Sequence, residues 1–120
     1  MLKRVIIVDD SRTTRSMVAF TLRRAGYEVI EADDGVQALS LIGKDPIDCV
    51  ITDVNMPGMD GLELIRQLRA SAAHKTTPIL MLTTGTDIGK QQEGKEAGAS
   101  DWIGKPFHPA ALLETVARMA

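Results

Sequence analysis

The sequence predicts a doubly wound α/β fold, in which repeated strand–helix units form a parallel sheet with helices on both faces. Short apolar runs rich in Val and Ile alternate five times with longer amphipathic stretches, which is the pattern of βα units. The runs lack polar alternation, since Val5, Ile6, Ile7 and Val8 follow one another directly. Strands covered on both faces have this composition, so a half-exposed antiparallel sheet is disfavoured.

Five strands and five helices are predicted in alternation. The strands are expected at residues 4–9, 27–32, 48–53, 78–83 and 100–104. The helices are expected at residues 14–25, 36–42, 61–70 and 87–97, with a last helix that begins at Pro109. Gly26 suits the end of the first helix. Helix 87–97 is expected to be the weakest, because Gly89 and Gly94 each cost about 1 kcal/mol relative to Ala inside a helix.

Length, charge and cysteine content narrow the classes of function. A chain of 120 residues is expected to form one domain, residues 1–120, so its output should pass to another protein. Fourteen Lys and Arg against 16 Asp and Glu argue against a nucleic-acid partner. The single cysteine, Cys49, offers neither an internal disulfide nor a zinc site. The first apolar stretch is too short to span a membrane. We therefore expect a cytoplasmic protein, and we also expect it to be a monomer.

Polar side chains follow several of the predicted strands at their carboxyl ends. Asp9 and Asp10 end the first strand, Asp53 the third and Thr83 the fourth, and Lys105 follows the fifth. Ligand sites of open α/β sheets lie at this edge. Clustered carboxylates raise one another's pKa unless a cation lies among them. Because hard oxygen donors suit Mg²⁺, the sequence predicts a metal-assisted phosphoryl site, in which Mn²⁺ could replace Mg²⁺.

A simpler interpretation of these carboxylates is structural. Asp9 and Asp10 could cap the first helix, and Asp53 could cap a loop. The joint occurrence of an acidic pair, a third aspartate, a hydroxyl and a lysine at matching strand ends favours the functional interpretation.

Four segments carry a resemblance that covers residues 3–119. They are Val-Asp-Asp-Ser at 8–11, Asp-Val-Asn-Met-Pro-Gly-Met-Asp-Gly at 53–61, Leu-Thr-Thr at 82–84 and Gly-Ala-Ser-Asp-Trp-Ile-Gly-Lys-Pro-Phe at 98–107. In this order and spacing they resemble the receiver domain of two-component response regulators, in its single-domain, CheY-like form. The resemblance implies a flavodoxin-like (βα)5 fold with strand order 2-1-3-4-5.

The resemblance also assigns roles to the acidic residues. Asp53 matches the aspartate that accepts a phosphoryl group from a phosphohistidine of a histidine kinase. Asp10 and Asp53 match the direct carboxylate ligands of Mg²⁺, and Asn55 matches the ligand that uses its backbone carbonyl. Asp9 matches the acid that binds the metal through water or supports the site.

Three further residues match the parts of a receiver that bind the phosphoryl group and transmit the signal. Lys105 matches the lysine that pairs with a phosphoryl oxygen, and the family usually holds the following bond, Lys105-Pro106, in cis. Thr83 matches the switch residue that moves to the phosphoryl group, and the aromatic at position 102 then turns inward. That aromatic is Trp102, where Tyr or Phe is more usual. The implied output surface is helix 87–97, the fifth strand and the last helix.

Two positions are expected to tune the lifetime of the phosphorylated state. Asn55 and Gly85 occupy the places that flank the path of the attacking water in receivers. Our hypothesis is that Asn55 helps to orient this water, whereas Gly85 neither assists nor blocks it. A lifetime of seconds to minutes follows.

The implied function is that of a phosphorylation-activated response regulator rather than an enzyme with an external substrate. Four features of the chain most resemble those of chemotaxis regulators. They are Arg15, the Asp-Asp-Ser start, the 102–107 segment and the absence of an output domain. The expected partners are a chemotaxis-type histidine kinase, the flagellar motor switch and possible phosphatases. A phosphorelay intermediate or phosphate sink would have the same core. More distant alternatives are a flavodoxin-like electron carrier and an aspartate-based phosphatase.

Overall fold

A computed structural model of the chain describes residues 3–43, 46–84 and 88–120. Within these residues, strands and helices alternate as predicted. The strands are β1 (Arg4–Val8), β2 (Glu28–Ala32), β3 (Cys49–Asp53), β4 (Ile79–Thr84) and β5 (Asp101–Lys105). The helices are α1 (Arg12–Arg24), α2 (Gly35–Ile42), α3 (Gly61–Ala70), α4 (Ile88–Ala97) and α5 (Pro109–Met119), with a short 3-10 helix at Ala72–His74.

The five strands form one parallel sheet in the order β2-β1-β3-β4-β5, which confirms the implied topology. The register aligns the carboxyl ends of the strands. Val8 lies opposite Thr52, and Asp53 lies opposite Leu82. Residues that directly follow β1 therefore lie beside the last residue of β3.

Two apolar layers pack on the sheet, one on each face. One layer joins the strands to α1 and α5, and its largest fully buried members are Ile7, Leu22, Ile51, Leu80, Leu82 and Leu112. The other joins the strands to α2 and α3, and its largest fully buried members are Ile6, Leu64, Ile65, Leu68, Ile79 and Met81. The middle strands are covered on both faces, which explains why their sequences lack polar alternation.

Capping side chains set the helix starts, and they explain where the predicted bounds shift. Ser11 precedes α1 and accepts a hydrogen bond from the backbone N–H of Thr14, so α1 begins at Arg12, two residues before its predicted start. Asp34 caps α2 and Asp60 caps α3 in the same way. The predicted bounds of α3 are confirmed, and each strand bound lies within one residue of its prediction.

Cys49 is fully buried in β3. Burial, and to a lesser extent the nearby Asp48, raise the pKa of its thiol to about 12. The thiol therefore stays protonated and unreactive in the folded protein. Among the described residues, no helix has the length and apolar content needed to cross a membrane.

Two helical glycines allow α-helices to approach the sheet closely. Gly61 begins α3 against the end of β3, where a Cβ atom would collide with the Asp53 carbonyl oxygen and lie 2.9 Å from Val54 Cα. Gly94, buried in α4, faces Met81, and a Cβ atom there would overlap the thioether end of that side chain. Gly94 therefore serves packing, although helix propensity alone marked it as a weakness of α4.

These two positions should respond differently to one added methyl group. We expect Gly61→Ala to lower the free energy of unfolding by about 2 to 3 kcal/mol, because the obstructing atoms are backbone and cannot move aside. Gly94→Ala should change it by less than about 1 kcal/mol, because the end of Met81 is flexible and Ala favours the helix. Urea unfolding of both variants measures the difference. Equal losses would contradict this account.

Candidate functional site

The carboxyl edge of the sheet brings together the acidic residues and the lysine that the sequence singled out. Asp9 directly follows β1, Asp53 ends β3 and Lys105 ends β5. Carboxylate oxygens of Asp9, Asp10 and Asp53 all lie within 4.8 Å of one another. Lys105 Nζ lies 3.0 Å from Asp9 Oδ2 and 3.1 Å from Asp53 Oδ1. One ammonium group thus contacts two of the three acids.

Burial shifts the pKa values of the charged groups in this cluster. Asp9 is fully buried and Asp53 is 7% exposed, whereas Asp10 is exposed. The pKa of Asp53 is raised, first by burial and then by the charge of Asp9, although Lys105 partly offsets both effects. Burial alone would lower the pKa of Lys105, but its pairing with Asp9 and Asp53 outweighs that effect and raises the pKa. The lysine therefore remains charged at neutral pH.

The first loop holds Asp9 through its side chain and its main chain. Asp9 Oδ1 accepts a hydrogen bond of 2.8 Å from the backbone N–H of Ser11. Arg15, one turn into α1, donates from Nη1 to the Asp9 carbonyl oxygen at 2.8 Å. Because Ser11 caps α1, the alternative in which Asp9 and Asp10 cap this helix is wrong.

The second loop turns sharply after Asp53 to enter α3. Gly58 adopts a φ of 74°, a conformation that residues with a side chain rarely take. Asp60 then caps α3, and the backbone N–H of Gly61 donates to the Val54 carbonyl at 2.9 Å. Asp60, rather than Asp53, thus supplies the cap of α3.

The donor set fits Mg²⁺. Three carboxylates supply hard oxygen ligands at one point, and a hexacoordinate ion keeps waters in its remaining positions. Asp9 Oδ2 is buried and faces Lys105 Nζ at 3.0 Å. The cluster carries more negative than positive charge, so a divalent cation would offset repulsion that Lys105 leaves.

The remaining predicted residues surround this cluster. Thr83, on β4, is 3% exposed, and its Oγ1 has no hydrogen-bond partner within the described residues. Trp102, on the edge strand β5, is 40% exposed and lies opposite Met81. Asn55 is exposed after β3, and the Lys105-Pro106 bond is cis, as the resemblance implied. Gly85, named for the lifetime hypothesis, lies outside the described residues.

Sequence reasoning missed the residues that position the acids. A Ser directly after an acidic pair is a recognisable helix start, so the role of Ser11 could have been found from the sequence. In the sequence, Arg15 is notable only as part of a resemblance, because no local pattern shows that its side chain returns to the Asp9 carbonyl. The need for Gly61 depends on how closely α3 approaches β3, which the sequence does not specify.

Comparisons with known proteins agree with this geometry. The family model for the response regulator receiver domain matches residues 5–117. The chain is 44% identical over 116 residues to the response regulator MprA of a Mycobacterium species (strain KMS), covering 97% of this chain and 48% of that protein. The chain thus spans about half the length of the curated relatives it matches.

Two solved structures extend the comparison. The chemotaxis response regulator CheY4 of Vibrio cholerae is 48% identical, with a TM-score of 0.94 and full coverage of both chains. The receiver domain of the sensor histidine kinase PA1611 from Pseudomonas aeruginosa is 28% identical, with a TM-score of 0.91 and coverage of 99% of this chain and 98% of that one. Its structure has a magnesium ion coordinated in the active site cleft.

The family match, the strand order and the acidic cluster with its lysine favour the receiver hypothesis over the electron carrier and the phosphatase. This chain belongs to the response regulator receiver domain family.

Proposed function

We propose that this receiver accepts a phosphoryl group on Asp53 from a phosphohistidine of a histidine kinase, with Mg²⁺ bound at the acidic cluster. The observation that carries the proposal is the convergence of Asp53 with Asp9, Asp10 and Lys105 at one edge of the sheet. Nucleophile, metal ligands and a counter-charge thus lie within a few ångströms of one another. Phosphorylation then changes binding to a partner protein, and the chain does not turn over an external substrate.

The proposed step requires an ionised Asp53. One carboxylate oxygen attacks the phosphorus atom, an O–P bond forms and the P–N bond breaks, and the imidazole nitrogen keeps the electron pair and takes up a proton. Lys105 exchanges its contact with a carboxylate for one with a phosphoryl oxygen, where its point charge suits a non-planar group. Bound Mg²⁺ supplies the positive charge that lets an anionic donor approach this acidic pocket.

We further propose a chemotaxis output, with the flagellar motor switch as partner, a chemotaxis-type kinase as donor and the cytoplasm as location. The similarity to CheY4 over the whole of both chains supports this choice. Buried Thr83 and exposed Trp102 lie on neighbouring strands, which suits a coupling in which the threonine moves to the phosphoryl group and the tryptophan turns inward. A phosphorelay intermediate or a phosphate sink is the alternative output.

Phosphorylation can be tested without the kinase. We expect incubation with acetyl phosphate and Mg²⁺ to add one phosphoryl group, because the small donor needs only the pocket itself. Intact-mass spectrometry measures the product. Asp53→Asn should stay unmodified, whereas Asp33→Asn, which changes an exposed aspartate outside the cluster, should react like the wild type. Modification of Asp53→Asn to the wild-type level would rule out Asp53 as the acceptor.

The buried carboxylates lead to a second prediction, which concerns thermal stability in the absence of divalent metal. Because the pKa of Asp53 is raised in the fold, its acid form stabilises the folded state, and this contribution is lost as pH rises through the folded pKa. Asp53→Asn should therefore melt at a higher temperature than the wild type at pH 7, and the gap should close in acid, below the unfolded pKa. Mg²⁺ should stabilise the wild type more than the variant. Thermal melting across pH, with Asp33→Asn as control, checks all three expectations.

Beryllofluoride, a mimic of the phosphoryl group, tests the coupling and the output. Trp102 is the single tryptophan, so its fluorescence reports the switch directly. We expect beryllofluoride to decrease acrylamide quenching in the wild type, because the indole moves from solvent into the fold. Thr83→Ala should abolish the decrease while still binding the mimic.

The same preparations separate the possible outputs. Under the chemotaxis proposal, a motor-switch protein should bind the wild type more tightly when beryllofluoride is present. Affinity unchanged by the mimic would contradict the motor-switch output. Transfer of the phosphoryl group from Asp53 to a histidine phosphotransfer domain would instead identify a phosphorelay intermediate.

A further inference from the structure

Asp10 is the least supported member of the acidic cluster. Its side chain is exposed, and none of the hydrogen bonds or ion pairs between described residues involves it. Asp9 and Asp53, in contrast, are buried and each contacts Lys105. The placement of Asp10 therefore depends on its backbone, which includes the peptide group that joins it to Asp9.

Arg15 holds that peptide group. Its Nη1 donates a hydrogen bond of 2.8 Å to the Asp9 carbonyl oxygen, which is the oxygen of the Asp9-Asp10 peptide. Its Nε lies 3.4 Å from Glu31 Oε1 on β2, and its side chain is only 16% exposed. The guanidinium is thus fixed by a strand of the sheet at one side and orients the loop at the other. Because a peptide group is planar, restraining its carbonyl also restrains the Cα atom of Asp10, from which the side chain starts.

We propose that Arg15 is a positioning residue for the metal site, which sets Asp10 in place for Mg²⁺ through the Asp9-Asp10 peptide. The inference rests on the proposed function, since it concerns the metal that the acidic cluster would hold. Groups that orient metal ligands in this way commonly change metal affinity by about 10- to 100-fold when removed.

The sign of the effect separates positioning from simple electrostatics. Arg15 is a cation beside an acidic cluster, so removal of its charge alone should strengthen the binding of a second cation. Loss of the carbonyl contact should weaken that binding, because Asp10 would have to be ordered when the metal binds. The two accounts therefore predict opposite changes in Mg²⁺ affinity.

Arg23 provides a matched control on the same helix. Its Nη1 lies 3.2 Å from Glu31 Oε2, and its Nη2 donates to the Val29 carbonyl at 3.1 Å. Like Arg15, it joins α1 to Glu31 and to a main-chain carbonyl, but that carbonyl belongs to β2 rather than to the acidic loop. Arg23→Ala thus removes the same kinds of contact without touching the site.

The test is calorimetric titration of the unphosphorylated full chain with Mg²⁺. We expect Arg15→Ala to weaken Mg²⁺ binding about tenfold and Arg23→Ala to leave it unchanged, with both variants folded by circular dichroism. Arg15→Lys keeps a donor that can reach the carbonyl, so its affinity should lie between those of the wild type and Arg15→Ala. Should Arg15→Ala fail to fold, Arg15→Met keeps the apolar stem and carries the same expectation.

Two results would overturn the inference while leaving the proposed function intact. The first is Mg²⁺ affinity in Arg15→Ala equal to or tighter than in the wild type. The second is an equal loss in Arg15→Ala and Arg23→Ala, which would indicate general loosening of α1. A wild-type chain that does not bind Mg²⁺ would be distinct from both, because it would remove the proposed function and this inference with it.

Discussion

The site depends on one ammonium group placed between two buried carboxylates. Lys105 contacts both Asp9 and Asp53, and without it these acids would face each other at the edge of an apolar sheet. The raised pKa of Asp53 shows that the lysine offsets only part of the cost of burial and repulsion. The cluster therefore retains an excess of negative charge. This excess disfavours the empty site, favours a divalent cation and keeps a nucleophilic carboxylate close to its counter-charge.

The parallel sheet creates this arrangement from residues far apart in sequence. Strands β1, β3 and β5 end at the same edge, with β4 between the last two, so Lys105 reaches the acids past the strand that carries Thr83. The apolar layers fix the strands, while the loops hold the polar groups through local contacts with Ser11, Arg15 and Gly61. A substitution in the core would destabilise the fold, whereas a substitution of a site side chain such as Asp53→Asn would change the chemistry and leave the sheet intact.

Much of this could be predicted from the sequence, for identifiable physical reasons. Strand–helix alternation and unbroken apolar runs such as 5–8 predicted a covered parallel sheet, and strand ends predicted which side chains would meet. The strand order came only from a resemblance, since periodicity does not specify which strands are neighbours. The capping role of Asp60 was not predicted from the sequence. Local patterns also could not show that the Arg15 side chain returns to the Asp9 carbonyl. The packing role of Gly94 was also missed, because propensity ignores the approach of α4 to Met81.

A crystal structure of the chain with Mg²⁺ and beryllofluoride tests the central claim most directly. The account predicts that the metal is bound by the carboxylates of Asp10 and Asp53 and by the backbone carbonyl of Asn55. It predicts that beryllofluoride is attached to the Asp53 carboxylate. It also predicts that Lys105 leaves a carboxylate contact to bind a fluorine atom. A metal bound away from this cluster, or beryllofluoride attached to another aspartate, would contradict the account.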